Sequence, residues 1–354
     1  MRKRTIKKWL YVSFILKTVV LSVYLLWLWY FQRKELCKMV CTNVEHFQSW
    51  ATEAFSSGSG SGTDTTPSIE TTDQKLAERY FLHDAPTSSR IPNIIWMYWN
   101  GPMNPAVELC VDSWRHYHPD YQVHVLNREN YRDHVDTDVS ALRFAKIDEQ
   151  RFSDFLRCAL LVKHGGIWVD ASIICHSPVT WVHAVQTRHD VEMVGYYHKW
   201  TDPSLIQVSP ILENWFIACV PGSPFMRDWC DEFMRVNEFE TIHGYLANLK
   251  DQGIQFVNMQ WLDYLTMHAS AQKVFQTPDH KDKYKLYLFC ASCGPFRYMD
   301  DVEWDTKAGI DQLLDPSTCK DFYEYVMVKL CKNQRIEMNN RDIGDIRRAF
   351  LHLV

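Results

Sequence analysis

Apolar and polar positions divide this chain into three regimes. Residues 9–31 form an apolar run of 23 residues with Lys17 as its only charge. Residues 56–72 are small and polar, opening on Ser56-Ser57-Gly58-Ser59-Gly60-Ser61-Gly62-Thr63, the composition of a flexible linker. From Ile91 onward, strand-like and helix-like patterns alternate. Residues 91–99 read as a buried strand closed by the turn formers Asn100-Gly101-Pro102. Residues 105–117 place Val107, Cys110, Val111 and Trp114 at helical spacing. Tyr121, Val123 and Val125 alternate with polar neighbours, a half-buried strand. A helix is expected over 153–164, stopped by Gly165-Gly166, followed by a strand over 167–170. Residues 191–197 read as another strand. Ser223 caps a helix with Pro224 in its first turn, running to about residue 238. Residues 73–83 read as a short helix. The Phe322, Tyr323, Tyr325, Val326, Val328 and Leu330 cluster reads as the packed face of a late helix. This alternation implies an α/β fold with a mostly parallel sheet and helices on both faces.

The first apolar run is long enough to span a bilayer, which takes about 20 residues. Arg2, Lys3, Arg4, Lys7 and Lys8 precede it, and aromatic residues crowd its far end. A cleavable signal peptide has a shorter apolar core and small residues at the cut, and neither is found here. The basic flank predicts a cytosolic tail (1–8), a single-pass anchor (9–31), a stem (32–89) and a body (90–354) beyond the membrane. The corresponding expectation is a type II protein of the Golgi or another secretory-pathway membrane. Cys37 and Cys41, just past the span, are placed to link two chains into a homodimer in an oxidising lumen.

Composition narrows the function. Hydrophobic residues make up 46% and charged residues 23% of 354, close to globular averages. The net charge of -5 gives no long-range attraction for nucleic acid. Eleven cysteines are too sparse for a disulfide-built domain. Cys290-x-x-Cys293 lacks the second ligand pair of a structural zinc site and reads as a disulfide or two free thiols.

The most informative stretch is 152–172. It reads as a helix, a glycine turn and a buried strand ending in a carboxylate. Asp154 and Arg157 are three apart and share a helix face. With the helix starting at Ser153, both fall in its first turn, where free N–H groups favour an anion or hydroxyls. Gly165 and Gly166 permit a tight turn and close approach of a ligand to the backbone. Asp170 ends its strand at the edge where ligands bind in open α/β sheets.

In four motifs the chain resembles the capsular-polysaccharide-synthesis type of glycosyltransferase, related to glycosyltransferase family 32. They are Ile91-Pro92-x-Ile94-Ile95-Trp96, Ser153-Asp154-x-x-Arg157, Gly165-Gly166-Ile167-Trp168-Val169-Asp170-Ala171-Ser172, and Asn214-Trp215-Phe216-Ile217-Ala218 with Pro221-Gly222-x-Pro224-Phe225. The resemblance runs from about Ile91 to Arg227, with weaker echoes to Pro295. It implies a GT-A (Rossmann-like) fold and a hexosyltransferase using a nucleotide-sugar donor and a glycan or glycolipid acceptor, with retention of configuration. By position, it implies that Trp96 flanks the base and that Asp154, Arg157, Gly165, Gly166 and Asp170 face the donor. Asp170 and Arg157 would then be catalytic.

Asp170 matches the first aspartate of the family's Asp-x-Asp pair, whereas Ser172 stands at the second. A divalent cation, Mn2+ or Mg2+, held by Asp170 and Ser172 would lack one anionic ligand. A distant carboxylate or histidine (Asp300, Asp301 or His280) is then needed, or Arg157 and water take more of the charge. The same departure raises an alternative: a non-catalytic, sugar- or nucleotide-binding partner of another transferase.

Overall fold

The computed structural model describes residues 77–80 and 89–351, except 207, 279–282, 316–326, 343, 345–346 and 348–349. The anchor segment, Cys37 and Cys41 lie outside these residues. Among the described residues no helix is long and apolar enough to cross a membrane.

The chain begins its sheet with β1 (Ala77–Tyr80), β2 (Ile94–Tyr98) and β3 (Gln122–Leu126). β4 (Gly166–Val169), β6 (Met193–Tyr197), β7 (Leu212–Cys219) and β8 (Leu286–Cys290) complete it. The order is β1-β8-β6-β7-β4-β2-β3. β2 pairs in parallel with β3 and β4, and β6 with β8. β7 runs antiparallel to β4 and β6, and β1 antiparallel to β8. Five of the seven strands therefore point one way. A second, two-stranded sheet joins β5 (Ile173–Cys175) antiparallel to β9 (Met327–Lys329).

Alternation along the strands explains the layers. In β2, Trp96 and Tyr98 face one core, while Ile95 and Met97 face another. Helices α1 (Pro105–Tyr117) and α3 (Thr180–His189) cover the second face with Val107, Val111, Trp114, Trp181 and Val182. Helices α2 (Glu149–His164), α4 (Pro224–Met234), α5 (Ile242–Asp251) and α6 (Thr266–Phe275) cover the first. A strand buried on both faces has no polar side to display, so it reads as a continuous apolar run. Among the described residues, three short helices follow: α7 (Arg297–Asp300), α8 (Thr306–Leu314) and α9 (Lys332–Asn339).

Three local expectations are corrected. The segment 73–83 contains a strand, β1, because β8 offers it a free edge. Val328 lies on a strand, β9, and not on a helix, while Phe322, Tyr323, Tyr325 and Val326 lie outside the described residues. The third correction concerns α2. It starts at Glu149, four residues before Ser153, because the Asp148 carboxylate caps it by accepting from the Arg151 N–H at 2.7 Å. Ser153 lies inside the helix and donates back to the Gln150 carbonyl at 2.8 Å. Asp154 and Arg157 are thus beyond the first turn, and the free N–H groups of the helix start do not serve them.

Candidate functional site

The strand ends of the main sheet open on a cleft of about 1080 Å³. Tyr98, Trp99 and Asn100 reach it from the end of β2, and Asp170 from the end of β4. His198, Lys199 and Trp200 reach it from the end of β6. Because β7 runs the other way, its beginning lies at this edge and adds Glu213 and Asn214. The location is the one expected for a ligand in an open α/β sheet.

Asp170 lies at the centre of an ion-paired cluster. Its Oδ1 accepts from Arg157 Nη2 at 2.9 Å and from Trp168 Nε1 at 3.1 Å. Its Oδ2 accepts from Lys329 Nζ at 2.7 Å, and the same ammonium donates to Ser172 Oγ at 2.8 Å. Arg157 also pairs with the buried Asp154 and lies 4.6 Å from the centre of the Trp168 ring. Asn214 Nδ2 donates to Asp154 Oδ1 at 3.0 Å. Burial opposes charge on Asp170, yet the Lys329 ammonium and the Arg157 guanidinium more than offset it and hold the carboxyl at about 2. At Asp154 burial outweighs Arg157, and the carboxyl is raised above its ordinary value.

Of the residues singled out from sequence, Asp154, Arg157, Asp170 and Ser172 converge on the cleft. Trp96 and the two glycines do not line it. Trp96 is buried, stacks on His124 at 4.7 Å and donates from Nε1 to the Gly165 carbonyl at 3.0 Å. Gly165 and Gly166 have φ of 62° and 89°, and their closeness is to the protein's own backbone. A Cβ on Gly165 would lie 2.5 Å from Pro221 N, and one on Gly166 would lie 2.7 Å from the Ile94 carbonyl oxygen. Tyr98, farther along the strand that carries Trp96, and Trp99 just past its end are the aromatic residues of this segment that meet the cleft.

The donor set around Asp170 does not fit a divalent cation. Both carboxylate oxygens and the Ser172 hydroxyl are engaged by the protein's own cations and by Trp168. Asp300 pairs instead with Lys199, and Asp301 lies 3.5 Å from Arg297. His280 lies outside the described residues. Among the described residues no group of three or more His, Cys, Asp or Glu is arranged to hold a metal ion, and Cys290 and Cys293 are free thiols.

Two features of the site had no motif to reveal them. One is Lys329. The other is Glu213, buried at the cleft wall and flanked by His198 Nε2 at 4.0 Å and His268 Nε2 at 3.9 Å. Trp215 Nε1 donates to Glu213 Oε2 at 2.8 Å, while Oε1 has no hydrogen-bond partner among the described residues. Burial disfavours the Glu213 charge, but the two histidines and Trp215 outweigh it and lower the carboxyl below its ordinary value. Aromatic side chains rim the cleft: Trp200, Trp261, Tyr264 and Trp304 are 41%, 64%, 57% and 37% exposed.

Comparison with known proteins bears on this site. O-glycosyltransferase braB of Annulohypoxylon truncatum is 26% identical over 257 residues. That alignment spans 59% of this chain and 59% of the relative's length. Among solved structures, the PaToxG glycosyltransferase is similar at 15% identity and a TM-score of 0.31, covering 80% of this chain and 92% of that one. The galactosyltransferase LgtC, solved with donor and acceptor sugar analogues, is similar at 14% identity and a TM-score of 0.32, covering 67% and 87%. Residues 64–246, more than half of the sequence, match the family of capsular polysaccharide synthesis proteins. That span contains the Asp154, Arg157, Asp170 and Ser172 cluster together with Glu213, and on this match the chain belongs to the capsular polysaccharide synthesis protein family.

Proposed function

We propose that this chain is a glycosyltransferase of GT-A type, related to family 32, that moves a hexose from a nucleotide sugar to a hydroxyl of a glycan or glycolipid, with retention of configuration. The observation that carries the reading is the ion-paired Asp170 on the floor of a large cleft at the strand ends. In the transfer, the bond from the anomeric carbon to the leaving phosphate oxygen breaks. The bond to the acceptor oxygen forms, and the acceptor's proton passes to the departing phosphate. Negative charge grows on the diphosphate, and fixed cations near it lower the barrier. Arg157 and Lys329 are cations already held in place, so little reorganisation accompanies the reaction. Asp154 and Asn214 orient Arg157 and the floor of the cleft. The rim of Trp200, Trp261, Tyr264 and Trp304 offers apolar faces on which sugar rings stack.

The anchor, the cytosolic tail and the Golgi-type location extend this reading. They rest on the apolar run at 9–31 and its basic flank. Protease protection of the body in sealed vesicles tests the orientation.

The activity is tested by incubating the full-length chain with a panel of nucleotide sugars and following nucleotide release, alongside Asp170→Asn. Release from one donor that disappears in the variant is expected. A folded protein that releases nothing and binds no donor from the panel would refute the reading.

A further inference from the structure

We propose that the Lys329 ammonium is a built-in replacement for the divalent cation at this site, so that the chain recognises the donor's diphosphate without metal. The inference rests on the nucleotide-sugar reading above and specifies its cofactor requirement.

The argument begins with position. Lys329 Nζ bridges Asp170 Oδ2 and Ser172 Oγ at 2.7 and 2.8 Å, between the two side chains that a metal would have to share. Serine at position 172 suits this arrangement. A second carboxylate there would give the ammonium one anion too many, whereas a neutral hydroxyl accepts its hydrogen bond and leaves the local charge balanced.

The lysine is also built in. β9 pairs with β5 in a register that sets Lys329 opposite Ile173. The Leu330 N–H donates to the Ser172 carbonyl at 2.9 Å, and the Lys329 N–H donates to the Pro295 carbonyl at 3.0 Å. Tyr298 Oη donates to the Lys329 carbonyl at 2.8 Å. The residue is 6% exposed, so its ammonium does not sweep through solvent as a surface lysine does. Backbone pairing thus delivers a fixed positive charge beside the carboxylate, which is what a bound metal ion would otherwise supply.

Further cations accompany it. Lys332 and Arg335, on the helix that follows β9, line the same cleft. Together these groups provide charge for both phosphates of a donor. Occupation of the same place by Mn2+ would require expulsion of a buried ammonium from two hydrogen bonds and a like-charge contact with Arg157 and Lys329. Those costs weigh against metal binding.

The test uses the full-length chain and titrates uridine, guanosine, adenosine and cytidine diphosphates by calorimetry, in EDTA and again in excess Mn2+. The wild type is expected to bind one of them with the same affinity in both, within about twofold, and Lys329→Met is expected to weaken that binding by at least about tenfold under both conditions. Lys329→Arg, which keeps the charge, is expected to retain more of it than methionine does. Thermal melts identify a variant that does not fold, and the wild-type comparison needs no variant. Binding that appears only with Mn2+ would overturn the inference while upholding the nucleotide-sugar reading. So would binding unchanged in folded Lys329→Met. A chain that binds none of the four under either condition would overturn that reading itself, and the inference with it. Direct titration of Mn2+ into the nucleotide-free protein gives an independent readout. No heat of binding is expected, and a stoichiometric site lost in Asp170→Asn would overturn the proposal whatever the nucleotide does.

Discussion

Replacing Arg157 with methionine removes a cation that two carboxylates share. The side chain is 2% exposed. It pairs with Asp154, donates to Asp170 at 2.9 Å and stacks over Trp168 at 4.6 Å. The two carboxylates lose unequally. Asp170 keeps Lys329 and is 28% exposed at its side chain, so water and the ammonium still solvate it. Asp154 is 4% exposed and keeps the Asn214 amide, the field of the nearby His268 and the surrounding dipoles. Removing one partner of a buried pair costs about 3–5 kcal/mol, because the other charge is left in a poorly solvating interior. Methionine fills most of the vacated volume and avoids the guanidinium's own desolvation, so the lower end, about 3 kcal/mol, is expected at pH 8. The cost depends on pH with a definite sign. A carboxyl whose folded-state affinity for protons is raised binds them more readily than in the unfolded chain, so the variant's stability falls as pH rises above about 4. The deficit is therefore largest at pH 8 and shrinks towards pH 5. Adding Asp154→Asn removes the stranded charge, and the double variant should recover about 1–2 kcal/mol of the loss. Urea denaturation followed by tryptophan fluorescence, at pH 5 and pH 8, measures all of this. A single variant within about 0.5 kcal/mol of wild type at pH 8, or single and double variants of equal stability, would refute the reasoning. A loss of turnover in Arg157→Met is interpretable only beside such a stability measurement, because the residue holds the floor of the cleft together as well as facing it.

Three further outcomes are expected. Gly165→Ala forces a Cβ to within 2.5 Å of Pro221 N at a φ of 62°, where no flexible side chain can yield, and should cost about 2–4 kcal/mol in a thermal or urea melt; an unchanged melting curve would contradict it. Asp170, held at about 2 against an ordinary value of 3.8, contributes stability that is present above pH 4 and lost as pH falls through 2, an amount of about 2 kcal/mol. The stability gap between wild type and Asp170→Asn should accordingly shrink between pH 5 and pH 2.5, and a constant gap would mean that the carboxylate is not paired as described. Trp261→Ala removes the most exposed aromatic face of the rim on which sugar rings are proposed to stack, and should raise the KM for the sugar acceptor by roughly fivefold, about 1 kcal/mol, with nucleotide binding unchanged; an unchanged acceptor KM would contradict that role.

What the sequence by itself determined is local. Apolar runs such as 94–98 and 167–169 specify strands buried on both faces, because no polar side interrupts them. Gly165-Gly166 specifies the turn out of α2, because only glycine holds those φ values without strain. Asp170 and Ser172 follow the strand at a spacing that marks a site, and Arg157 with Asp154 lies one helix turn apart on a shared face. Nearby start signals competed, however, and the Asp148 cap prevailed over Ser153. Periodicity also left Trp96 open between core and cleft. It shows that alternate residues of β2 face opposite layers, but not how far along the strand the cleft begins. Only the tertiary structure decided the rest. Lys329 reaches Asp170 across 159 positions of sequence, and Glu213 meets His198 and His268 from three different segments. Such contacts depend on which strands pair and in what register. Register is selected by the packing of whole layers, so a lysine at the end of a three-residue strand carries no local mark of the carboxylate it will neutralise.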